Sequence, residues 1–217
     1  NQNVEQHINR QNFIPGSSNT YYNQTSSSNS INASHRLNLN ILYQIDSMCS
    51  LKITPSFNYQ KTENRSSKNY QTLSANNTNI NDGISNNISN TEGYNFKNDI
   101  FFRKKFKRKG RTFSILLQTS ANQSNGSSSL NSITNFHEAN NLKDTINQQS
   151  KNENSLFSYN TKIAYTEPIF KKSLLELSVV KNNSNNQSDL VTYNYNKQTA
   201  KYDNVNTLQT NNYKNIY

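Results

Sequence analysis

The sequence holds a single cysteine, Cys49, so no internal disulfide can staple it. No run approaches the roughly 20 apolar residues that a membrane helix needs, which excludes a helical span. No secretory leader or transit peptide is recognisable, and the sequence starts inside an Asn-rich stretch without Met. The expectation is that it is one portion of a longer protein. Apolar residues are scarce, at 31% of 217, and mean hydropathy is -0.98, close to the border with disorder on composition alone.

Signatures of chemistry are missing too. There is no Gly-rich phosphate loop and no nucleophile elbow. His7, His35 and His137 lie far apart and have no metal-ligand spacing with Cys49. Of the carboxylates Asp46, Asp99, Glu167 and Glu176, alternation puts Asp99 and Glu176 on a polar wall and the other two at turns, so none are paired for acid–base work. The expectation is a chain without enzymatic activity, cofactor or metal.

What the sequence does have is aromatic and basic. Aromatics reach 11%, mostly Tyr and Phe, which is too rich for a disordered chain. Much of the net charge of +10 comes from one knot: Arg103, Lys104, Lys105, Lys107, Arg108, Lys109 and Arg111. Such a knot can be read as a nucleic-acid patch. It straddles a turn, however, and Lys and Arg at a membrane boundary meet headgroups or snorkel, so no nucleic-acid partner is expected.

The dominant signal is period two. Leu37, Leu39, Ile41, Tyr43 and Ile45 alternate with Arg36, Asn38, Asn40 and Gln44, and Leu51, Ile53, Phe57 and Tyr59 alternate with Lys52, Thr54, Ser56 and Asn58. The same holds for Tyr94, Phe96, Ile100 and Phe102 against Lys97 and Asp99, and for Phe113, Ile115 and Leu117 against Ser114 and Gln118. It recurs for Phe157, Tyr159, Ile163 and Tyr165 against Lys162, and for Leu175, Leu177 and Val179 against Glu176. On a helix these apolar positions would scatter rather than form a stripe. Leu42, Phe101, Leu116, Leu174 and Val180 interrupt the polar side. Pro55, inside a patterned run, predicts a bulge.

Each run is about 9 to 11 residues, the length a tilted strand needs to cross a bilayer. Short turns at 46–49, 107–110 and 167–172 alternate with long polar segments near 61–92, 124–153 and 182–211, which read as loops. Aromatics gather at both ends of the runs: Tyr43, Phe102, Phe106, Phe113, Tyr165 and Phe170 near the short turns, and Tyr59, Tyr94, Phe96, Phe157 and Tyr159 near the long segments. Tight turns on one side, long loops on the other and two aromatic belts characterise outer-membrane barrels. A β-sandwich with core aromatics is the soluble alternative.

The expected architecture is therefore all-β: an antiparallel up-and-down meander forming a segment of a large transmembrane β-barrel. Hairpins fall at about 34–60, 93–123 and 156–181 within a partial barrel over 30–217, preceded by a polar Asn/Ser-rich loop over 1–29. Alternation assigns Leu39, Ile41, Ile53, Phe57, Ile100, Ile115, Leu117, Ile163, Leu175 and Leu177 to lipid. Arg36, Lys52, Lys97, Asp99, Gln118, Lys162 and Glu176 are assigned to the lumen.

The stretches LKITPSFNYQ (51–60), EGYNFKNDIFFRKKFKRKGRTFSILLQTS (92–120), YTEPIFKKSLLEL (165–177) and VTYNYN (191–196) resemble the barrel of TonB-dependent-receptor-like proteins, the outer membrane protein β-barrel family. The likeness spans roughly 30–217, and its most specific parts are the KxKGRTFS and YTEPxxKKS turns. The resemblance implies a barrel of about 22 strands in a Gram-negative outer membrane. It also implies that the barrel is closed by an N-terminal plug domain, energised through TonB and takes up a ligand that the sequence does not identify. Residues 1–29 contain neither plug-like sequence nor TonB-contacting box, so the implied partners are outer-membrane lipid, the remainder of the barrel, the plug and TonB. A structural or adhesive cell-surface β-protein without transport is the other reading.

Overall fold

The computed structural model describes residues 1–13, 15, 18–138, 142–170 and 172–216. Among these residues ten strands form one antiparallel sheet: β1 (Gln2–Asn12), β2 (Thr20–Asn38), β3 (Ile41–Gln44), β4 (Cys49–Ser74), β5 (Asn79–Lys105), β6 (Thr112–Phe136), β7 (Leu142–Phe170), β8 (Ser173–Asn196), β9 (Lys201–Val205) and β10 (Asn211–Ile216). The order β1-β2-β4-β5-β6-β7-β8-β10 follows the chain, with β3 also on β4 and β9 also on β8, so the sheet is an up-and-down meander. Among the described residues it is not closed: β1 pairs only β2, and β10 pairs only β8.

The turns follow from their residues. The Asp46 carboxylate accepts the Met48 and Cys49 N–H groups at 2.6 and 2.7 Å, an Asx turn that starts β4. Those two backbone donors hold the Asp46 carboxyl below its usual range. Between β5 and β6, Gly110 adopts φ 90°, a left-handed conformation that favours glycine, and Phe106 N–H donates to Arg111 C=O at 3.2 Å.

Three expectations are corrected. The segments read as long loops are mostly strand: β4, β5, β6, β7 and β8 run for 26, 27, 25, 29 and 24 residues, joined at 75–78 and 197–200 by tight turns. The segment 1–29, read as a loop, carries β1 and the first half of β2, paired from Gln2↔Ser30 to Asn12↔Thr20. Backbone ladders do not require apolar side chains, and here polar ones bond across them, as in Ser28–Asn64 at 3.2 Å and Gln148–Asn194 at 2.8 Å.

Pro55 makes no bulge. The register is uninterrupted through Pro55↔Asn98, and on the other side Leu39 N–H donates to Pro55 C=O at 2.9 Å. The return bond from a Pro55 N–H cannot exist, and the edge strand breaks there into β2 and β3. Register shifts lie instead at Thr72/Leu73, Pro168/Phe170 and Asn194/Tyr195.

The sheet is one layer thick and has almost no interior. Only Ala164 and Thr192 are buried among the described residues. The accessible surface is 15295 Å², whereas a compact monomer of 24.9 kDa exposes about 10,000 Å². Both faces thus stand open, including exposed Leu37, Leu42, Leu177 and Val179.

Candidate functional site

Directly opposed residues in an antiparallel ladder share a face, so the register sorts the side chains into rows. One row is Ile41–Ile53–Ile100–Leu117, and a second is Tyr43–Leu51–Phe102–Ile115–Ile163–Val179. A third is Leu37–Phe57–Phe96–Ala121–Phe157, and Phe113–Tyr165–Leu177 forms a fourth. The same parity brings Leu39, opposite Pro55, and Leu175, opposite Glu167, onto this face. The ten apolar candidates therefore occupy one face of the sheet, as a band that runs from β2 and β3 to β7 and on β8 is apolar only from Leu175 to Val179, because Lys181, Asn183 and Asn185 share that face.

Aromatic rings edge the band. Phe57 stacks on Tyr94 at 6.2 Å on the side away from the short turns, and Phe106 meets Tyr165 edge-on at 6.5 Å on the short-turn side. Along β5 the band runs from Lys104 to Tyr94, about 34 Å at roughly 3.4 Å per residue.

The opposite face carries the seven polar candidates, which the structure separates into groups. Asp99, Gln118, Asn160 and Asn182 form one row, and Ser56, Lys97, Ser120, Ser158 and Ser184 the next. Asn160 donates to Gln118 at 3.1 Å and Gln118 to Asp99 at 3.3 Å, an amide relay along the row. Together with Lys97, these residues line an open cleft of about 420 Å³.

Lys162 and Glu176 pair at 3.1 Å, reaching diagonally past the small residues Ala164 and Ser178. Ala164 is only 7% exposed. Lys52 lies in a different row, and Arg36 stands on β2 opposite Asn58, away from the cleft.

Three features were not legible beforehand. First, four of the five apolar interruptions of the polar face fall in one row: Leu42–Lys52–Phe101–Leu116–Lys162–Val180. Second, Asp82 bonds His137 and accepts from Asn135 and Asn79, each at 3.1 Å, inside a segment read as loop. The His137 and Asn135 bonds hold the Asp82 carboxyl below its usual range.

Third, the two turn motifs clasp each other. Arg111 grips Glu167 through both carboxylate oxygens at 2.7 and 2.8 Å, and Arg108 donates to Glu167 at 2.7 Å and to Pro168 C=O at 2.8 Å. The Tyr165 hydroxyl adds a bond at 2.7 Å. The Arg111 fork, then the Tyr165 bond, draw the Glu167 carboxyl down from 4.5 to about 2. A β5–β6 turn is thereby locked to the end of β7.

No protein-family model matches the chain, and no curated protein sequence matches it.

Proposed function

We propose that this chain is part of the wall of an outer-membrane β-barrel of the TonB-dependent receptor type. Its apolar band faces lipid and its polar face lines a lumen through which an unidentified ligand passes. The observation that carries the reading is the band itself: successive apolar rows on one face, against a single mixed apolar and lysine row on the other, in a single-layer sheet that has no core of its own. A soluble sandwich covers such a face with a second sheet, and the described residues supply none.

The dimensions support the same reading. A band about 34 Å long, on strands tilted near 45°, stands about 25 Å high, the height of the apolar belt of outer-membrane barrels. The uncovered stretches of the edge strands fit as well. In β2 the residues from Ile31 on, all of β3, and β8 from Ser173 to Ser184 each lack a neighbour on one side among the described residues. In hydrocarbon such edges must be paired, which in an intact barrel further strands do.

A structural or adhesive surface protein is the second reading, favoured by how far the polar strands continue past the band. From Tyr94 back to Asn79 and from Gln123 on to Phe136 the sheet gains roughly 45 Å.

The test uses nitroxide labels at Ile100→Cys, Leu117→Cys, Asp99→Cys and Gln118→Cys in a Cys49→Ser background of the intact protein in lipid. Labels at 100 and 117 should collide with dissolved oxygen, and those at 99 and 118 with a water-soluble nickel complex. Equal access for all four would reject the lipid face. Capture of the intact protein by TonB separates the receptor from the adhesive reading.

A further inference from the structure

The short-turn rim of the sheet carries a cluster of basic side chains that form no ion pair among the described residues. Arg103, Lys104, Lys105, Lys107 and Lys109 are all exposed, and none takes part in an ion pair among the described residues. The carboxylates at this rim already have other partners, although Asp46 also feels the charge of Lys104. Glu167 is held by Arg108 and Arg111, Glu176 by Lys162, and Asp46 by two backbone N–H groups.

With Arg108 and Arg111 tied to Glu167, that carboxylate is already taken by two cations of the β5–β6 turn. Lys104 shares a row with Phe113, Tyr165 and Leu177, the last apolar row of the band, and its Nζ lies 5.6 Å from the Phe106 ring centroid. A cation beside an aromatic ring at the end of an apolar band has the geometry of a residue at a membrane–water boundary.

The far boundary of the same face is opposite in sign. Beyond the Tyr59–Tyr94 row comes Lys61–Glu92–Asn125–Glu153–Asp189, with one cation and three carboxylates. The two ends of the band therefore differ in charge, which a symmetric, merely solubilising surface would not require.

We propose that the β5–β6 rim binds the phosphodiester headgroups of anionic phospholipids in the leaflet on the short-turn side. The proposal rests on the membrane reading above and narrows its lipid partner to anionic phospholipid on one side. Each basic side chain at an anionic surface typically strengthens partitioning about fivefold, so several acting together give a large effect.

The test measures, by flotation, partitioning of the intact protein onto vesicles of phosphatidylcholine with and without phosphatidylglycerol. One variant combines Lys104→Gln, Lys107→Gln and Lys109→Gln, leaving the clasp intact. A control combines Lys61→Gln, Lys143→Gln and Lys151→Gln, away from the rim and outside the band. The native chain and the control should gain about tenfold or more with phosphatidylglycerol. The rim variant should lose most of that gain while binding neutral vesicles as the native chain does.

Inorganic phosphate at matched ionic strength should compete no better than chloride. Competition by phosphate alone, a gain that survives in the rim variant, or an equal loss in the control would each overturn the proposal. Loss of binding to neutral vesicles with rim-dependent binding to anionic ones kept would overturn the membrane reading and leave the headgroup site standing. Binding to neither overturns both.

Discussion

Replacing Leu117 with Arg tests the assignment of faces at its most sensitive point. Leu117 lies in the row Ile53–Ile100–Leu117, four residues along β6 from Phe113 and six from Gln123, so it sits close to mid-height of the band. An arginine on the lipid face near the midplane costs about 2–4 kcal/mol, a loss of roughly 30- to 700-fold in the folding equilibrium. The adjacent position supplies the comparison. Gln118 points to the other face, where it donates to Asp99 at 3.3 Å and accepts from Asn160 at 3.1 Å. An arginine there keeps a donor for Asp99 and gives up only the acceptor, a loss of about 1 kcal/mol. Urea titration of the intact protein in lipid, on native protein, Leu117→Arg and Gln118→Arg, reads both numbers. Equal losses, or a larger loss at 118, would refute the face assignment even if the strands are correct.

Gly83 lies beneath the Tyr70 ring, and a Cβ there would come within 2.5 Å of that ring and 2.6 Å of the Ile133 carbonyl. Gly83→Ala should therefore cost about 1–3 kcal/mol in the same titration, and a neutral result would mean that Tyr70 does not cross the strand there. The Glu167 clasp gives a pH dependence. Its carboxyl is depressed from 4.5 to about 2, so its contribution to stability is complete above the ordinary value and fades as pH falls toward the depressed one. Thermal unfolding should separate native protein from Glu167→Gln at neutral pH and bring them together near pH 2; a constant gap would mean that the clasp is not ionic. Thr192, 3% exposed, donates to Gln209 C=O at 3.0 Å, and its N–H donates to the Thr210 hydroxyl at 3.3 Å. Thr192→Val should speed amide exchange at 206–210 and leave β4 and β5 unchanged; uniform acceleration would assign Thr192 a global role instead.

The sequence showed the fold where its two faces meet different surroundings. Ile53, Ile100 and Leu117 against Thr54, Asp99 and Gln118 is a contrast that period two reports directly, and it locates the strands and their shared face. Beyond Tyr59 and Tyr94 the contrast fades, because Ser67, Asn86 and Asn131 on one face differ little from Ser66, Asn87 and Gln148 on the other. A strand wet on both sides has no periodic signature, yet its backbone ladder is unchanged, which is why β1 and the outer halves of β4 to β8 read as loops. The short turns were legible from Asp46 and Gly110 because their chemistry is local. The clasp was not. Arg111 and Glu167 are 56 residues apart, and only the register of β6 on β7 brings them together. The apolar row on the polar face likewise emerges only when Leu42, Phe101, Leu116 and Val180 are aligned across strands.

The continuity of these polar strands changes what a binder or a protease would encounter outside the band. Flexible loops at 61–92 or 124–153 would be read by antibodies as linear peptides and would accept inserted tags almost anywhere. In a paired ladder each residue is fixed by two neighbours far away in sequence, so epitopes there are composite, drawn from Arg65, Ile88, Ser129 and Gln149 at once. Antisera raised against the isolated peptides should recognise the denatured chain and miss the folded one. Insertions should be tolerated at the tips, 75–78 and 197–200, and disruptive a few residues inward, where one added residue flips every following side chain to the wrong face.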